Sequence, residues 1–233
     1  MKEETRAHRI VVINPNSSEA VTQAIHQTLA PLRFGDGPKI DCLTLAEGPP
    51  GIETQDHIDA VVDPLCQLIR REDEAADAFM VACFGDPGLR LARKVTKKPV
   101  FGIGESAYLF SLTLGERFGV IAILPASVER QKRYIRQLGL QERYAASLPL
   151  GLGVTALEGD GVPERICDVG RQLIEQHGAE VLILGCAGMA IHRAAVEAAL
   201  GVPVVEPSQA AVMKALGAVR FGYRPGTRFN SPR

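Results

Sequence analysis

The chain has 233 residues, of which 46% are hydrophobic and 23% are charged, and its formal net charge is −1. This composition is typical of a soluble globular protein and excludes a disordered chain. The near-zero charge and an aromatic content of only 5% argue against recognition of nucleic acids or of acidic membranes, so we expect a small-molecule partner, no nucleic acid and no membrane.

Eight short apolar runs alternate along the chain with segments whose apolar residues recur at helical spacing. The runs cover residues 10–13, 40–45, 78–82, 100–103, 120–124, 145–150, 181–184 and 202–205. Alternation of strands and helices predicts an α/β fold with a mostly parallel sheet. Nearly continuous apolar strands are typical of sheets that are covered on both faces.

Two segments of the chain resemble each other. FMVACFGDPGLRLARKVTKKPVFGIGESA begins at Phe79, and VLILGCAGMAIHRAAVEAALGVPVVEPSQA begins at Val181. Each contains an apolar strand, a cysteine, a glycine-containing turn, a helix and then Pro-Val before another strand. The repeat predicts two pseudo-symmetric α/β lobes, each a mostly parallel four-stranded sheet flanked by helices, with the active site in the cleft between them. We place the first lobe at residues 1–103 plus 207–233 and the second at residues 104–206.

The five cysteines divide into two groups by position. Cys42, Cys66 and Cys167 lie inside strand or helix patterns, where a free cysteine is usually a small buried hydrophobic residue. Cys83 and Cys186 follow strands at equivalent points of the repeat, ahead of a helix. Because the N-terminal end of a helix favours a thiolate, we expect the pKa of both thiols to lie below the usual value of about 8.5, nearer neutrality.

Two thiols on opposite sides of a cleft suit the inversion of a stereocentre next to a carbonyl. A thiolate removes the proton from one face of the carbon, and a thiol returns a proton to the other face. Backbone N–H groups at the two helix starts are the expected donors to the enolate oxygen, since nearby glycines such as Gly85 and Gly188 permit close approach.

Signals for a metal or a cofactor are weak. GIGESA, at residues 102–107, matches the dinucleotide pattern G-x-G-x-x-A, but the next strand ends in Ala122, Ile123 and Leu124 without the acid that binds a ribose. The five histidines are scattered, so neither a metal nor a cofactor is expected. Widely spaced cysteines and the lack of a long apolar run favour the reducing cytoplasm.

Three motifs, in order, resemble the aspartate/glutamate/hydantoin racemase superfamily, and within it the hydantoin and allantoin racemase branch. They are INPNSS from Ile13, ACFGDPG from Ala82 and GCAGM from Gly185. The resemblance extends from Arg9 to about Arg220. It implies a cofactor-independent, homo-oligomeric racemase or epimerase for a 5-substituted hydantoin or an allantoin-type ureide, with the two cysteines of the last two motifs, Cys83 and Cys186, as the acid/base pair.

The same resemblance implies that the first loop contacts the substrate, through Asn14 foremost and then through Asn16 and Ser17. Residues beside the cysteines and after neighbouring strands complete the candidate substrate-binding set: Phe84, Gly85, Ala187, Gly188, Glu105 and Ser127. For Glu105 a helix-start carboxylate is an equal interpretation. For Asp86 a capping role is favoured over a chemical one.

Two positions depart from the pattern of the superfamily. Its amino-acid racemases typically have ACNT where this chain has ACFG, and Phe84 replaces an amide that could bind a free amino acid. Relatives usually carry threonines where this chain has Ile123 and Leu124, so a polar anchor is lost and the pocket is more apolar there.

Other functions remain open at this point. The chain could be an arylmalonate-decarboxylase-like or maleate-isomerase-like enzyme, an amino-acid racemase, or a ligand-binding or thiol-redox sensing protein without catalysis. A decarboxylase needs only the second cysteine, so the presence of both favours racemisation. The low net charge and low aromatic content lead us to expect a small, uncharged or weakly charged substrate held largely by backbone amides.

Overall fold

The computed structural model describes residues 7–157, 159 and 161–226. Eight strands are found there: β1 (Arg9–Asn14), β2 (Lys39–Thr44), β3 (Ala78–Val81), β4 (Val100–Gly102), β5 (Phe118–Ala122), β6 (Tyr144–Pro149), β7 (Val181–Leu184) and β8 (Val204–Val205). Each coincides with one of the predicted apolar runs.

Nine α-helices connect and follow these strands within the described residues. They are α1 (Glu19–Thr28), α2 (Gln55–Ala60), α3 (Val62–Glu72), α4 (Leu89–Val95), α5 (Ile103–Ser111), α6 (Pro125–Gln137), α7 (Val162–His177), α8 (Arg193–Leu200) and α9 (Pro207–Phe221). Short 3₁₀ helices occupy Ala30–Leu32, Gln141–Arg143, Val154–Ala156 and Ala187–His192. In the part of the chain described here, no helix combines the length and apolarity needed to cross a membrane.

The strands form two four-stranded sheets with the same internal order. The first runs β2-β1-β3-β4 and the second β6-β5-β7-β8, and every neighbouring pair is parallel. This arrangement confirms the predicted α/β fold with two similar lobes. Parallel pairing explains the apolar strands, because helices must cover both faces of such a sheet.

Side chains alternate between two cores across the first sheet. Val11 and Ile13 face a smaller cluster that includes Leu65 of α3 and Ala92 of α4. Ile10 and Val12 face the opposite way, into a larger cluster that continues without interruption into the second sheet. The two lobes therefore share one hydrophobic core, which fixes them against each other.

Helices α5 and α9 are exchanged between the sheets. Helix α5 follows β4 of the first sheet yet packs against β7 and β8, whereas α9 follows β8 and packs against β3 and β4. The two helices also pack against each other. This exchange supports our proposal that the lobes comprise residues 1–103 plus 207–233 and residues 104–206.

Candidate active site

A cavity of about 1310 Å³ lies where the carboxyl ends of strands from both sheets meet. Its wall includes Asn16 after β1, Cys83 after β3, Ile123 after β5 and Cys186 after β7. Ligands of parallel α/β sheets bind at this edge. The structure thus brings the two predicted cysteines to one cavity, each from the equivalent point of its own sheet.

Cys83 lies in a turn rather than at the start of a helix. The backbone N–H of Asp86 donates to the Cys83 carbonyl at 2.9 Å, and α4 begins only at Leu89. Asp86 adopts a φ of 46°, the left-handed region that non-glycine residues rarely occupy. The glycine-containing turn that the sequence predicts after Cys83 is therefore present, and it separates the thiol from the start of α4.

The Asp86 carboxylate ties this turn to two helices. Oδ1 accepts from the Gly104 N–H at 2.9 Å and Oδ2 from the Glu105 N–H at 2.7 Å, so Asp86 caps α5 across the chain. The Tyr134 hydroxyl of α6 donates to Oδ2 at 2.9 Å. Burial raises the pKa of Asp86 to about 7, although these hydrogen bonds oppose the shift. The favoured capping role is correct, with α5 as the helix that is capped.

Glycines of the GIGESA segment make room for this cap. A Cβ at Gly102 would overlap the Asp86 carboxyl group, and a Cβ at Gly104 would overlap the Phe84 carbonyl oxygen. Both glycines are buried against the Cys83 turn. The pattern that resembles a dinucleotide fingerprint is thus accounted for by the close approach of the Cys83 turn to α5.

Cys186 is held in a different way. It is the N-cap residue of the 3₁₀ helix Ala187–His192, and its carbonyl accepts from the Met189 N–H at 3.1 Å. The Gly188 N–H donates to the Cys186 sulfur, as the Gly85 N–H does to the Cys83 sulfur. Backbone donors therefore reach both thiols, whereas the sequence predicted such donors for the enolate oxygen of a substrate.

The thiols do not have the expected acidity. Burial raises the pKa of Cys83 to about 12 and that of Cys186 to about 11, because desolvation outweighs the hydrogen bond that each sulfur accepts. The nearby Cys186 raises the pKa of Cys83 further, and Arg130 lowers it. The predicted values near neutrality are wrong, because the prediction considered the helix end and left out the cost of desolvation.

The first loop is organised around Asn14, which is fully buried and lies outside the cavity wall. Its amide nitrogen donates to Asn16 Oδ1 at 2.9 Å and to Thr22 Oγ1 at 3.0 Å. Ser17 is also outside the wall, and its N–H donates to the Pro49 carbonyl at 3.0 Å. Of the three loop residues, Asn16 alone lines the cavity, and contact of Asn14 and Ser17 with a substrate stays a prediction.

The other candidates all lie on the cavity wall: Phe84, Gly85, Ala187, Gly188, Glu105 and Ser127. Two of them already have partners. Glu105 forms a two-pronged ion pair with Arg93, at 3.0 and 2.7 Å, and Ser127 Oγ accepts from Arg130 at 3.0 Å. Glu105 is thus anchored to α4 of the other lobe rather than directed to a thiol.

One face of α6 carries wall residues that the sequence interpretation missed. Arg130, Gln131 and Tyr134 follow Ser127 at helical spacing and all line the cavity. The spacing i, i+3, i+4, i+7 after a predicted strand is a readable sign of one helix face. Arg130 also donates to the Glu53 carbonyl at 2.8 Å, while Glu53 Oε1 accepts from the Val154 N–H at 2.8 Å. These contacts join the two lobes beside the cavity.

The charge of the wall differs from that of the whole chain. Among the described residues it contains five cationic side chains, Arg90, Arg93, Lys94, Arg130 and Arg133, and two carboxylates, Asp86 and Glu105. The described residues contain no cluster of histidine, cysteine and acidic side chains able to hold a metal ion.

Comparisons with known proteins agree over nearly the whole chain. A model of the Asp/Glu/Hydantoin racemase family matches residues 10–215. The hydantoin racemase of Paenarthrobacter aurescens is 34% identical over 220 residues, which are 93% of this chain and 93% of that protein. The hydantoin racemase of Pseudomonas sp. (strain NS671) is 35% identical over 218 residues, 92% of this chain and 87% of the relative.

Solved structures show the same fold. The allantoin racemase from Klebsiella pneumoniae superposes with a TM-score of 0.91 at 29% identity, over 97% of this chain and 94% of that one. Glutamate racemase from Francisella tularensis superposes with a TM-score of 0.70 at 19% identity, over 96% and 85% of the two chains, and shares the fold alone.

Proposed function

We propose that this chain, a member of the Asp/Glu/Hydantoin racemase family, is a cofactor-independent racemase that uses two cysteines to invert a stereocentre next to a carbonyl. The substrate we infer is a 5-substituted hydantoin or an allantoin-type ureide. Near-full-length similarity to hydantoin racemases and to an allantoin racemase supports this class. The observation that carries the mechanism is the placement of Cys83 and Cys186 on one cavity from equivalent points of two matching sheets.

In the proposed reaction one cysteine begins as a thiolate and the other as a thiol. The thiolate takes the proton from the stereocentre, and the electron pair of the C–H bond moves onto the neighbouring carbonyl oxygen to form an enolate. The opposite thiol then protonates the carbon from the other face. Proton and charge are conserved, and the two cysteines have exchanged protonation states, so the reverse reaction begins from the state just produced.

The electrostatics of the cavity support one ionised thiol at a time. Because Cys83 and Cys186 are near enough for the charge of one to raise the pKa of the other, a doubly ionised pair is disfavoured. Backbone N–H groups at Gly85 and Gly188 stabilise whichever sulfur is charged. The raised pKa values mean that the thiolate is scarce and strongly basic, which suits removal of a proton from carbon.

Racemisation is favoured over the other uses of this scaffold. A decarboxylase of this type needs one thiol as proton donor, and this cavity presents two. A thiol-redox sensor would require the same pair to form a disulfide on oxidation. From the wide spacing of the cysteines we propose a cytoplasmic protein, and from the family resemblance a homo-oligomer.

Solvent exchange tests this function. Purified protein is incubated in deuterium oxide at neutral pH with single enantiomers of a 5-alkylhydantoin, of allantoin and of glutamate. We expect the optical rotation of the hydantoin or allantoin to decay while one deuterium enters at the stereocentre, faster than in a protein-free control, and glutamate to remain unchanged. Loss of carbon dioxide from an arylmalonate, or exchange into glutamate alone, would contradict the proposal.

A further inference from the structure

Arg130 occupies an unusual position for a cation. It lies on α6, is half-buried in the cavity wall, and is close enough to Cys83 to affect the pKa of that thiol. A buried guanidinium is ordinarily paired with a carboxylate, because an unpaired charge loses hydration without compensation. Among the residues described, none places a carboxylate within ion-pair distance of Arg130.

The hydrogen bonds of Arg130 leave part of its guanidinium available. Nη2 donates to two neutral oxygens, the Glu53 carbonyl at 2.8 Å and Ser127 Oγ at 3.0 Å. These bonds fix the side chain against both lobes. The Nε and Nη1 groups have no acceptor among the described residues, so the guanidinium can still donate charge-assisted hydrogen bonds to an anion.

The neighbouring Arg93 is a guanidinium of the same cavity that has a carboxylate partner. Arg93 also lines the wall, and it binds both oxygens of Glu105 at 3.0 and 2.7 Å. Burial lowers the pKa of Arg130, whereas the Glu105 carboxylate more than compensates for burial at Arg93, whose pKa is raised. Of these two cavity arginines, Arg93 is paired with a carboxylate, and Arg130 has no such partner among the described residues.

The rest of the wall favours an anion as the missing partner. Arg90, Lys94 and Arg133 are exposed on the outer wall, so the mouth of the cavity attracts negative charge. Ile123, Ile58 and Val154 line the cavity as apolar surface. A substituent that ends in an anionic group thus meets one fixed cation, Arg130, amid apolar contacts.

We propose that the substrate carries a carboxylate on the substituent of its stereocentre, and that Arg130 binds this carboxylate. This inference rests on the proposed function and narrows it: the substrate class is a 5-(carboxyalkyl)hydantoin or a ureide of equal charge. It replaces the expectation of an uncharged or weakly charged substrate, which followed from the net charge of the whole chain. Arg130 is thereby a specificity-determining residue.

A matched pair of substrates tests the inference. The D enantiomers of 5-(2-carboxyethyl)hydantoin and of its neutral isostere 5-(2-carbamoylethyl)hydantoin are compared by kcat/KM for racemisation at neutral pH. Because charge-assisted hydrogen bonds are roughly twice as strong as neutral ones, we expect the wild type to prefer the acid by about tenfold or more. In Arg130→Gln the ratio should fall to about one, and in Arg130→Lys it should recover in part.

Arg136→Gln is the matched control, because Arg136 lies on the same helix but is exposed and outside the cavity wall. It should change the ratio less than about threefold, as for other exposed charges. A wild-type enzyme that shows no preference for the acid, or an Arg130→Gln variant that retains the preference, would overturn the inference. If Arg130 instead only stabilised the thiolate of Cys83, the rates of both substrates would fall together and the ratio would not move.

Calorimetric binding of the same two hydantoins to wild type and Arg130→Gln separates this inference from the proposed function. Tighter binding of the acid that Arg130→Gln abolishes, without racemisation of any hydantoin, would support the anion site and refute the racemase. Racemisation of neutral hydantoins with no such preference in binding or in rate would support the racemase and refute the anion site.

Discussion

The two halves of this molecule place a cysteine at the same point of the same sheet, yet they hold it by different means. In the second half Cys186 leads directly into a 3₁₀ helix, and α9 is capped by Glu206, which precedes it. In the first half Cys83 enters a turn whose Asp86 caps α5 from 18 residues away in the chain. The pseudo-symmetry therefore explains the equivalent positions of the two thiols. The local sequence determines which helices are connected to the segment that follows each cysteine.

The coupling differs in a way that matters for function. Glu206 accepts from the Ser208 and Gln209 N–H groups at 2.9 and 2.6 Å and lies outside the cavity wall. Asp86 lines the cavity and joins the Cys83 turn to α5 and α6. We expect substitutions at Asp86 to lower both activity and stability, whereas substitutions at Glu206 should lower stability alone.

The largest expected effect tests whether the two cysteines are equally necessary for activity. Cys83→Ala and Cys186→Ala should each reduce racemisation of a hydantoin by at least about a hundredfold, since general acid–base groups contribute 10²–10⁴-fold. Cys167→Ala, on α7 and outside the cavity wall, is the control and should keep near-wild-type activity. Polarimetry measures the rates, and full activity in either active-site variant would refute the paired mechanism.

The next effect would show the asymmetry. Asp86→Ala removes three accepted hydrogen bonds and leaves alanine at a positive φ, so we expect unfolding free energy to fall by about 2–4 kcal/mol and kcat by on the order of tenfold. Glu206→Ala should cost about 1–2 kcal/mol, as for other helix caps, with kcat within about threefold of wild type. Urea unfolding measures the free energies, and steady-state kinetics measures kcat. Equal losses of kcat in the two variants would show that Asp86 and Glu206 do not differ in their effect on activity.

A pH series separates the two buried carboxyls. Burial raises the pKa of Asp86 to about 7 and that of Glu206 to about 6, so both bind protons more tightly in the folded state. Their contribution to stability is complete below about pH 4 and is lost as pH rises through the folded pKa. Relative to wild type, Asp86→Asn should lose less stability between about pH 5 and 8. For Glu206→Gln, the corresponding difference from wild type in the pH dependence of stability should appear below about pH 7. If the unfolding free energy of Asp86→Asn depended on pH as steeply as that of the wild type, this assignment would be contradicted.

The smallest predicted effect concerns one contact of the cap. Tyr134→Phe removes the hydroxyl that donates to Asp86 and leaves both α5 donors in place. We expect a loss of about 1 kcal/mol in unfolding free energy, the usual value for one hydrogen bond, and a small fall in kcat. Tyr223→Phe, an exposed tyrosine, is the control. If Tyr134→Phe lost as much activity as Asp86→Ala, the effect on catalysis would be assigned to Tyr134 rather than to Asp86.

The fold could be predicted because its signals are local. Apolar runs of strand length between helical patterns located all eight strands, and the repeated motifs around Cys83 and Cys186 located both thiols. The acidity of those thiols could not be predicted in the same way. Desolvation depends on which side chains surround a sulfur from distant parts of the chain, and it reversed the sign expected from the helix end alone.

The lining of the cavity was predictable only in part. Phe84 and Gly188 line the cavity because they flank the cysteines in sequence, whereas Asn14 turns inward to organise its own loop. Arg130 had a readable signal, its helical spacing from Ser127 after a predicted strand. Its lack of a carboxylate partner in the described part of the chain had no such signal, since that depends on where the carboxylates lie in the fold.

One measurement tests the two-thiol mechanism most directly: enantiomer-resolved deuterium uptake by the single cysteine variants. In deuterium oxide, Cys83→Ala retains only the Cys186 base and should exchange the stereocentre proton of one hydantoin enantiomer with retention. Cys186→Ala should exchange only the other enantiomer, and neither variant should racemise its substrate. If both variants exchange the same enantiomer, or if either racemises at the wild-type rate, the two cysteines do not serve opposite faces of the substrate.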